Sequence, residues 1–174
     1  MTVYRDFDTP DAFTTAALGR PGQRIFLIQV RGEGAVVTLK CEKQQVAAIA
    51  HYVRELLADL PDGDVPLPDA LDLVPLDTAG ATDDPFDFVV GPIGVAYDRD
   101  LDRVVVQLDE MVPLDENGEP DPDVVAGRVR GLITRGQALA FCDHAEDVVA
   151  AGRPNCRWCG FPIDPDGHPC PRMN

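Results

Sequence analysis

The chain has 174 residues, enough for one domain of ordinary size with its own apolar core, so it needs no disulfide framework to hold it together. Hydrophobic residues make up 45%, which excludes a disordered composition, and no apolar run approaches the ~20 residues that span a bilayer as a helix. Thirty acidic against fifteen basic residues leave a formal charge of −15, which repels phosphate backbones over most of the surface and speaks against nucleic acid as the main partner.

The beginning of the chain lacks the basic and apolar regions of a secretion signal, so the protein reads as cytoplasmic. In that reducing compartment five cysteines, an odd number, read as thiols or metal ligands in preference to bridges.

In chain order the first predicted strand lies around Phe13–Gly19 and the second around Arg24–Ile28. Gly32-Glu33-Gly34 reads as a hairpin turn, and Val37, Leu39 and Cys41 alternate along a third strand. Gln44–Leu60 then places Val46, Ile49, Ala50, Val53, Leu56, Leu57 and Leu60 at the spacing of one buried helical face.

The same succession returns later. Phe88 to Gly94 matches the first strand at an offset of 75, and Arg103 to Gln107 matches the second at 79. Val129, Gly131 and Ile133 alternate into a helix whose Ala138, Phe141, Cys142, Ala145, Val148 and Val149 repeat the first helical face at an offset of 92. The growing offset locates an insertion in the Pro/Gly/acidic loop Asp115–Asp123.

The expected fold class is therefore α+β: two β-β-β-α repeats, about residues 12–60 and 86–151, within a duplicated domain at 1–151. An acidic, Pro-rich linker at 61–85 joins them, and a short tail follows at 152–174. The two units either pair their sheets or pack them face to face, with a pseudo-twofold axis in both cases.

The tail carries the most specific motif. Cys156-Arg-Trp-Cys159-Gly160 is a knuckle in which two thiolates two residues apart grip one ion while Gly160 lets the backbone turn. His168 and Cys170 supply two further soft ligands after a turn, which makes a Cys3His set suited to Zn2+ with no open position for substrate. The competing reading, a redox pair or disulfide, requires a strand-to-helix junction that these Pro/Gly-rich surroundings do not supply. Trp158 is expected to pack on the main domain, with an exposed adhesive patch as the alternative.

Other candidates are weaker. Cys41 and Cys142 occupy positions of small core residues, and His51 and His144 stand on the polar sides of their helices as solvated groups. The loop Asp115–Asp123 lacks the residue order of a calcium loop, and neither Gly32-Glu-Gly34 nor Gly91-Pro-Ile-Gly94 forms a phosphate loop. The starts of the two helices offer free backbone N–H groups beside cations, so Arg24, Lys43, Gln45, Arg135 and Gln137 are candidates for an anion site between the repeats; ordinary capping is the alternative.

Pro21-Gly-Gln-Arg24, Glu42-Lys-Gln-Gln45 and the ending Ala150-Ala-Gly-Arg-Pro154, Cys156-x-x-Cys159, Asp164-Pro-x-Gly-His168-x-Cys170-Pro-Arg172 together resemble an actinobacterial family of unknown function known as a repeat protein. The resemblance spans nearly the whole chain. It implies a genomic neighbourhood with mycothiol synthesis and with phosphatidylinositol-kinase-like and phosphoglycerate-mutase-like proteins, and hence a protein partner, with a kinase-like protein as the candidate. It implies no activity. The leading expectation is a zinc-containing cytoplasmic interaction or accessory protein, not an enzyme; the alternative is an enzyme or small-anion-binding protein with its site between the repeats.

Overall fold

The structure is a computed structural model that describes residues 2–61, 86–164 and 166–172. Except for Pro61, the expected linker lies outside the described residues. The fold is mixed α+β, as the sequence predicts, and the described residues form one seven-stranded sheet and two long helices.

A short strand β1 (Tyr4–Phe7) precedes β2 (Ala12–Leu18), β3 (Ile25–Gly32) and β4 (Ala35–Cys41). The last three form an antiparallel meander in which Thr15 pairs with Ile28 and Ile28 with Leu39. Gly32 pairs with Ala35, so the hairpin turn is the two residues Glu33 and Gly34, both left-handed at φ 53 and 74, as a tight hairpin of this twist requires.

Helix α1 (Lys43–Asp59) opens with a capping box in which Glu42 and Gln45 satisfy each other's backbone N–H groups. It stops where Pro61 forces Leu60 out of the helical region, to φ −77 and ψ 146. Val46, Ile49, Ala50 and Val53 are buried, the face predicted from the spacing.

A second run of three strands and a helix follows: β5 (Phe88–Asp98), β6 (Arg103–Glu110), β7 (Arg128–Ile133) and α2 (Arg135–Ala150). Helix α2 has its own capping box, built from Thr134 and Gln137. The long loop between β6 and β7 contains the acidic segment Asp115–Asp123, where the insertion was expected.

The strand order across the sheet is β1-β7-β6-β5-β4-β3-β2. Strands β1 and β2, at its opposite ends, are joined by only the four residues 8–11. Six strand spacings in a flat sheet would separate them by about 29 Å, whereas the five steps from Phe7 to Ala12 reach at most ~18 Å. The sheet is therefore rolled, which brings its two end strands toward each other. A Cβ on Gly131 of β7 would lie 3.8 Å from the Phe13 ring of β2, across the interior. Phe7, Phe13, Ile28, Val30, Leu39, Val106, Leu108 and Ile133 fill that interior.

The two runs join in the same manner at both seams. Leu39 of β4 pairs in parallel with Phe88 of β5, and Gly131, ninety-two positions after Leu39, pairs in parallel with Phe7 of β1. Phe7 thus occupies the place that Phe88 has in the other run. The expected match of Phe88 with Phe13, with a first unit starting at residue 12, leaves out β1; a four-residue strand of sequence Tyr-Arg-Asp-Phe carries too little alternation to stand out.

Each helix packs against the first long strand of the other run. Gln45 of α1 donates to the carbonyls of Val90 and Gly91 of β5, at 3.1 and 3.0 Å. His144 of α2 sits 2.8 Å from the Thr15 carbonyl of β2, and Phe141 packs on Phe13 with ring centroids 4.9 Å apart. Helix α2 therefore covers the free edge of β2, which would otherwise present unpaired backbone groups. This corrects the expectation for His144, which is half-buried against a strand and not solvated; His51 is exposed as expected.

The helices run antiparallel. Lys43 at the start of α1 reaches Gly152 just beyond the end of α2, while Arg135 at the start of α2 donates to the carbonyl of Pro61 just beyond the end of α1, at 3.4 Å. They cross where Cys142 meets Ala50. Among the described residues no helix is long and apolar enough to cross a membrane.

Candidate metal centre

The tail leaves α2 at Ala151 and folds into a loop held by a few backbone bonds. Cys156 N–H donates to Phe161 O at 2.7 Å, Gly160 N–H to Cys156 O at 2.8 Å and Ile163 N–H to Pro154 O at 2.8 Å. Gly160 takes φ 75, so glycine allows the chain to reverse directly after the second cysteine.

This turn brings Cys156, Cys159, His168 and Cys170 together, with all four ligand atoms within 4.8 Å of one another. Cys156 Sγ lies 3.8 Å from Cys170 Sγ, and Cys159 Sγ lies 3.3 Å from His168 Nε2. Sulfurs joined in a disulfide would be about 2 Å apart, whereas two thiolates on adjacent corners of a tetrahedral ion with bonds of ~2.3 Å stand about 3.8 Å apart. The four side chains could therefore hold one metal ion.

The electrostatics prepare the site for a cation. Backbone N–H groups of Cys159 and Trp158 point at Cys156 Sγ and bring its thiol down to about 7, favouring the thiolate. Cys159 is pushed the other way by loss of solvent, a penalty that a bound cation would reverse.

The loop is attached to the body through Arg153. Its guanidinium pairs with Asp164 at 2.6 Å and lies against Gly22 in the turn between β2 and β3, where an added Cβ would be 3.5 Å from it. Nothing in the spacing of the ligands pointed to this contact. Trp158, expected to pack on the main domain, is half exposed, with the Arg157 guanidinium 4.9 Å from its ring centroid.

The five anion-site candidates are not gathered into one place. Because α1 and α2 are antiparallel, Lys43 and Gln45 stand at one end of the helix pair and Arg135 and Gln137 at the other, ~24 Å away along a sixteen-residue helix. The polar groups of Gln45, Arg135 and Gln137 are also engaged. Gln45 and Gln137 close the capping boxes, and Gln137 Nε2 donates to Pro10 O at 2.8 Å. Arg135 pairs with Asp102 at 2.8 Å and donates to Tyr97 OH at 3.0 Å. Arg24 stands before β3, with its Nε buried and without a partner among the described residues.

The remaining cysteines behave as core. Burial, with the charge of Glu42 adding, raises the Cys41 thiol to about 12, and burial raises Cys142 to about 11. Both are free thiols.

No curated protein and no solved structure matches the chain. A family model matches it from β1 through Cys170, residues 5–170, so the tail with its four clustered side chains lies within the matched region, and the chain belongs to DUF3090, a family of proteins of unknown function.

Proposed function

We propose that the protein is a zinc-containing cytoplasmic accessory protein that binds a protein partner, and that Cys156, Cys159, His168 and Cys170 form a closed structural zinc site. The observation that carries the zinc assignment is the set of ligand spacings, 3.8 Å between thiols and 3.3 Å between thiol and imidazole, in a cluster of three sulfurs and one nitrogen. Soft thiolates and imidazole select zinc over magnesium or calcium, and four protein ligands fill its tetrahedron. The role is structural because a filled site has no position at which to activate water.

We also propose that the body arose by duplication of a β-β-β-α unit. The equal seams Leu39/Phe88 and Gly131/Phe7, and the crossing of the helices at positions ninety-two residues apart, support that reading. A kinase-like protein is the candidate partner implied by the family resemblance, which also carries the proposal of an actinobacterial source.

Elemental analysis of protein purified without added metal tests the zinc site. About one zinc per chain is expected from the single ligand set; no zinc, with the paired cysteines reactive as free thiols, would remove it.

A further inference from the structure

The metal loop ends in an exposed aromatic tip. Trp158 and Phe161 are 52% and 61% exposed, although each belongs to the knuckle whose backbone wraps the ligands. Their positions are set from below: Trp158 N–H donates to Cys156 Sγ, and Phe161 O accepts from Cys156 N–H. Two large rings are thus held out to solvent on a rigid turn, which makes a preorganised contact surface with little ordering entropy left to lose.

Charge separates this tip from the body. Residues 152–172 contain three arginines, Arg153, Arg157 and Arg172, and two aspartates, Asp164 and Asp166, for +1; the other residues then hold twelve basic and twenty-eight acidic side chains, for −16. Arg153 is paired with Asp164, but among the described residues neither Arg157 nor Arg172 has an ion-pair partner. They flank ligands whose sulfurs lie 3.8 Å apart.

We propose that this tip is a docking surface for an acidic peptide segment of a partner protein. An apolar side chain of the segment seats on Trp158 and Phe161, and its flanking carboxylates meet Arg157 and Arg172. Charge complementarity favours that partner, because Arg157 and Arg172 have no ion-pair partner among the described residues and flank the ligand loop that carries the two exposed rings, whereas the strongly acidic body repels an acidic segment within a Debye length of its surface. A single-stranded nucleic acid would also stack on the rings, but two free arginines supply few of the phosphate contacts on which such binding depends. The proposal rests on the reading of the tail as zinc-ordered and names the chemistry of the partner.

Trp158 is the sole tryptophan, so its fluorescence reports on the tip directly. The test is selection of peptides from a random library on the zinc-loaded full chain, followed by titration of the selected peptides against Trp158 fluorescence. Selected peptides are expected to be acidic around an apolar or aromatic residue, to weaken as salt rises, and to lose about tenfold or more in affinity with Trp158→Ala or Arg157→Glu. Tyr52→Ala, an exposed ring on α1, should leave them unchanged. Neutral or basic selected peptides, equal binding to Trp158→Ala, or a response to a thymidine oligonucleotide and to no peptide would each overturn the proposal. Zinc measured in the same samples separates the two failures: a zinc-loaded chain that selects no acidic peptide disproves docking alone, whereas a metal-free chain removes the reading beneath it.

Discussion

The thiol of Cys142 donates to the carbonyl oxygen of Ala50 over 3.4 Å, at the point where α1 and α2 cross. A backbone carbonyl is within reach of a side chain on the neighbouring helix only because both residues are small and both are buried. Lys43 beyond the end of α2 and Arg135 beyond the end of α1 each place a cation near the last carbonyls of the opposite helix, where the helix dipole favours one.

Enlarging the crossing should force the helices apart. Ala50→Leu is expected to destabilise the protein by about 1–3 kcal/mol through overpacking, with Cys142→Ala milder. Urea unfolding followed by circular dichroism measures both; a neutral Ala50→Leu would mean that the helices can slide over each other without loss.

The closure of the rolled sheet depends on a close approach at Gly32. A Cβ there would stand 2.9 Å from Pro10 Cα and 3.0 Å from Asp11 N, both backbone atoms of the segment that links β1 to β2. Gly32→Ala should therefore cost roughly 1–3 kcal/mol and loosen β1 from β7. Faster amide exchange in β1 than in β6 would show it, and unchanged exchange in β1 would contradict it.

The five cysteines should divide by chemistry. Cys41 and Cys142, raised to about 12 and about 11 by burial, stay protonated in the folded chain at pH 8 and should resist a thiol reagent. Cys156, Cys159 and Cys170 should react once a chelator removes the metal, giving three thiols without denaturant and five with it. The sign of the linkage follows from the upward shifts: both buried thiols favour folding below pH 9, and that stability is lost as the pH rises through the folded values. Reaction of Cys142 in the native protein would place the helix pair in rapid opening.

Loss of one ligand should act locally. In Cys159→Ser the region from Asn155 to Arg172 is expected to lose protection in hydrogen exchange together with the contact that Arg153 makes at Gly22, while α1 and α2 keep theirs, since their buried faces belong to the core of the body. Collapse of protection in both helices would instead mean that the metal organises the whole fold.

Much of this architecture was legible in the order of residues. Helical faces such as Val46, Ile49, Ala50 and Val53 are periodic, and periodicity is a local property, so both long helices and most strands could be read directly. The gathering of Cys156, Cys159, His168 and Cys170 into one cluster was also readable, because a short turn rich in proline and glycine leaves them few other ways to lie.

Tertiary structure decided whatever depends on distance in space between residues far apart in the chain. The antiparallel crossing separates Lys43 and Gln45 from Arg135 and Gln137, and no pattern within either helix start encodes that separation. The pairing of Phe7 with Gly131, the docking of His144 on Thr15 and the exposure of Trp158 have the same origin. Local sequence sets which face of an element is apolar, but which surface covers that face is settled by how the whole sheet rolls and where the two helices pack against it.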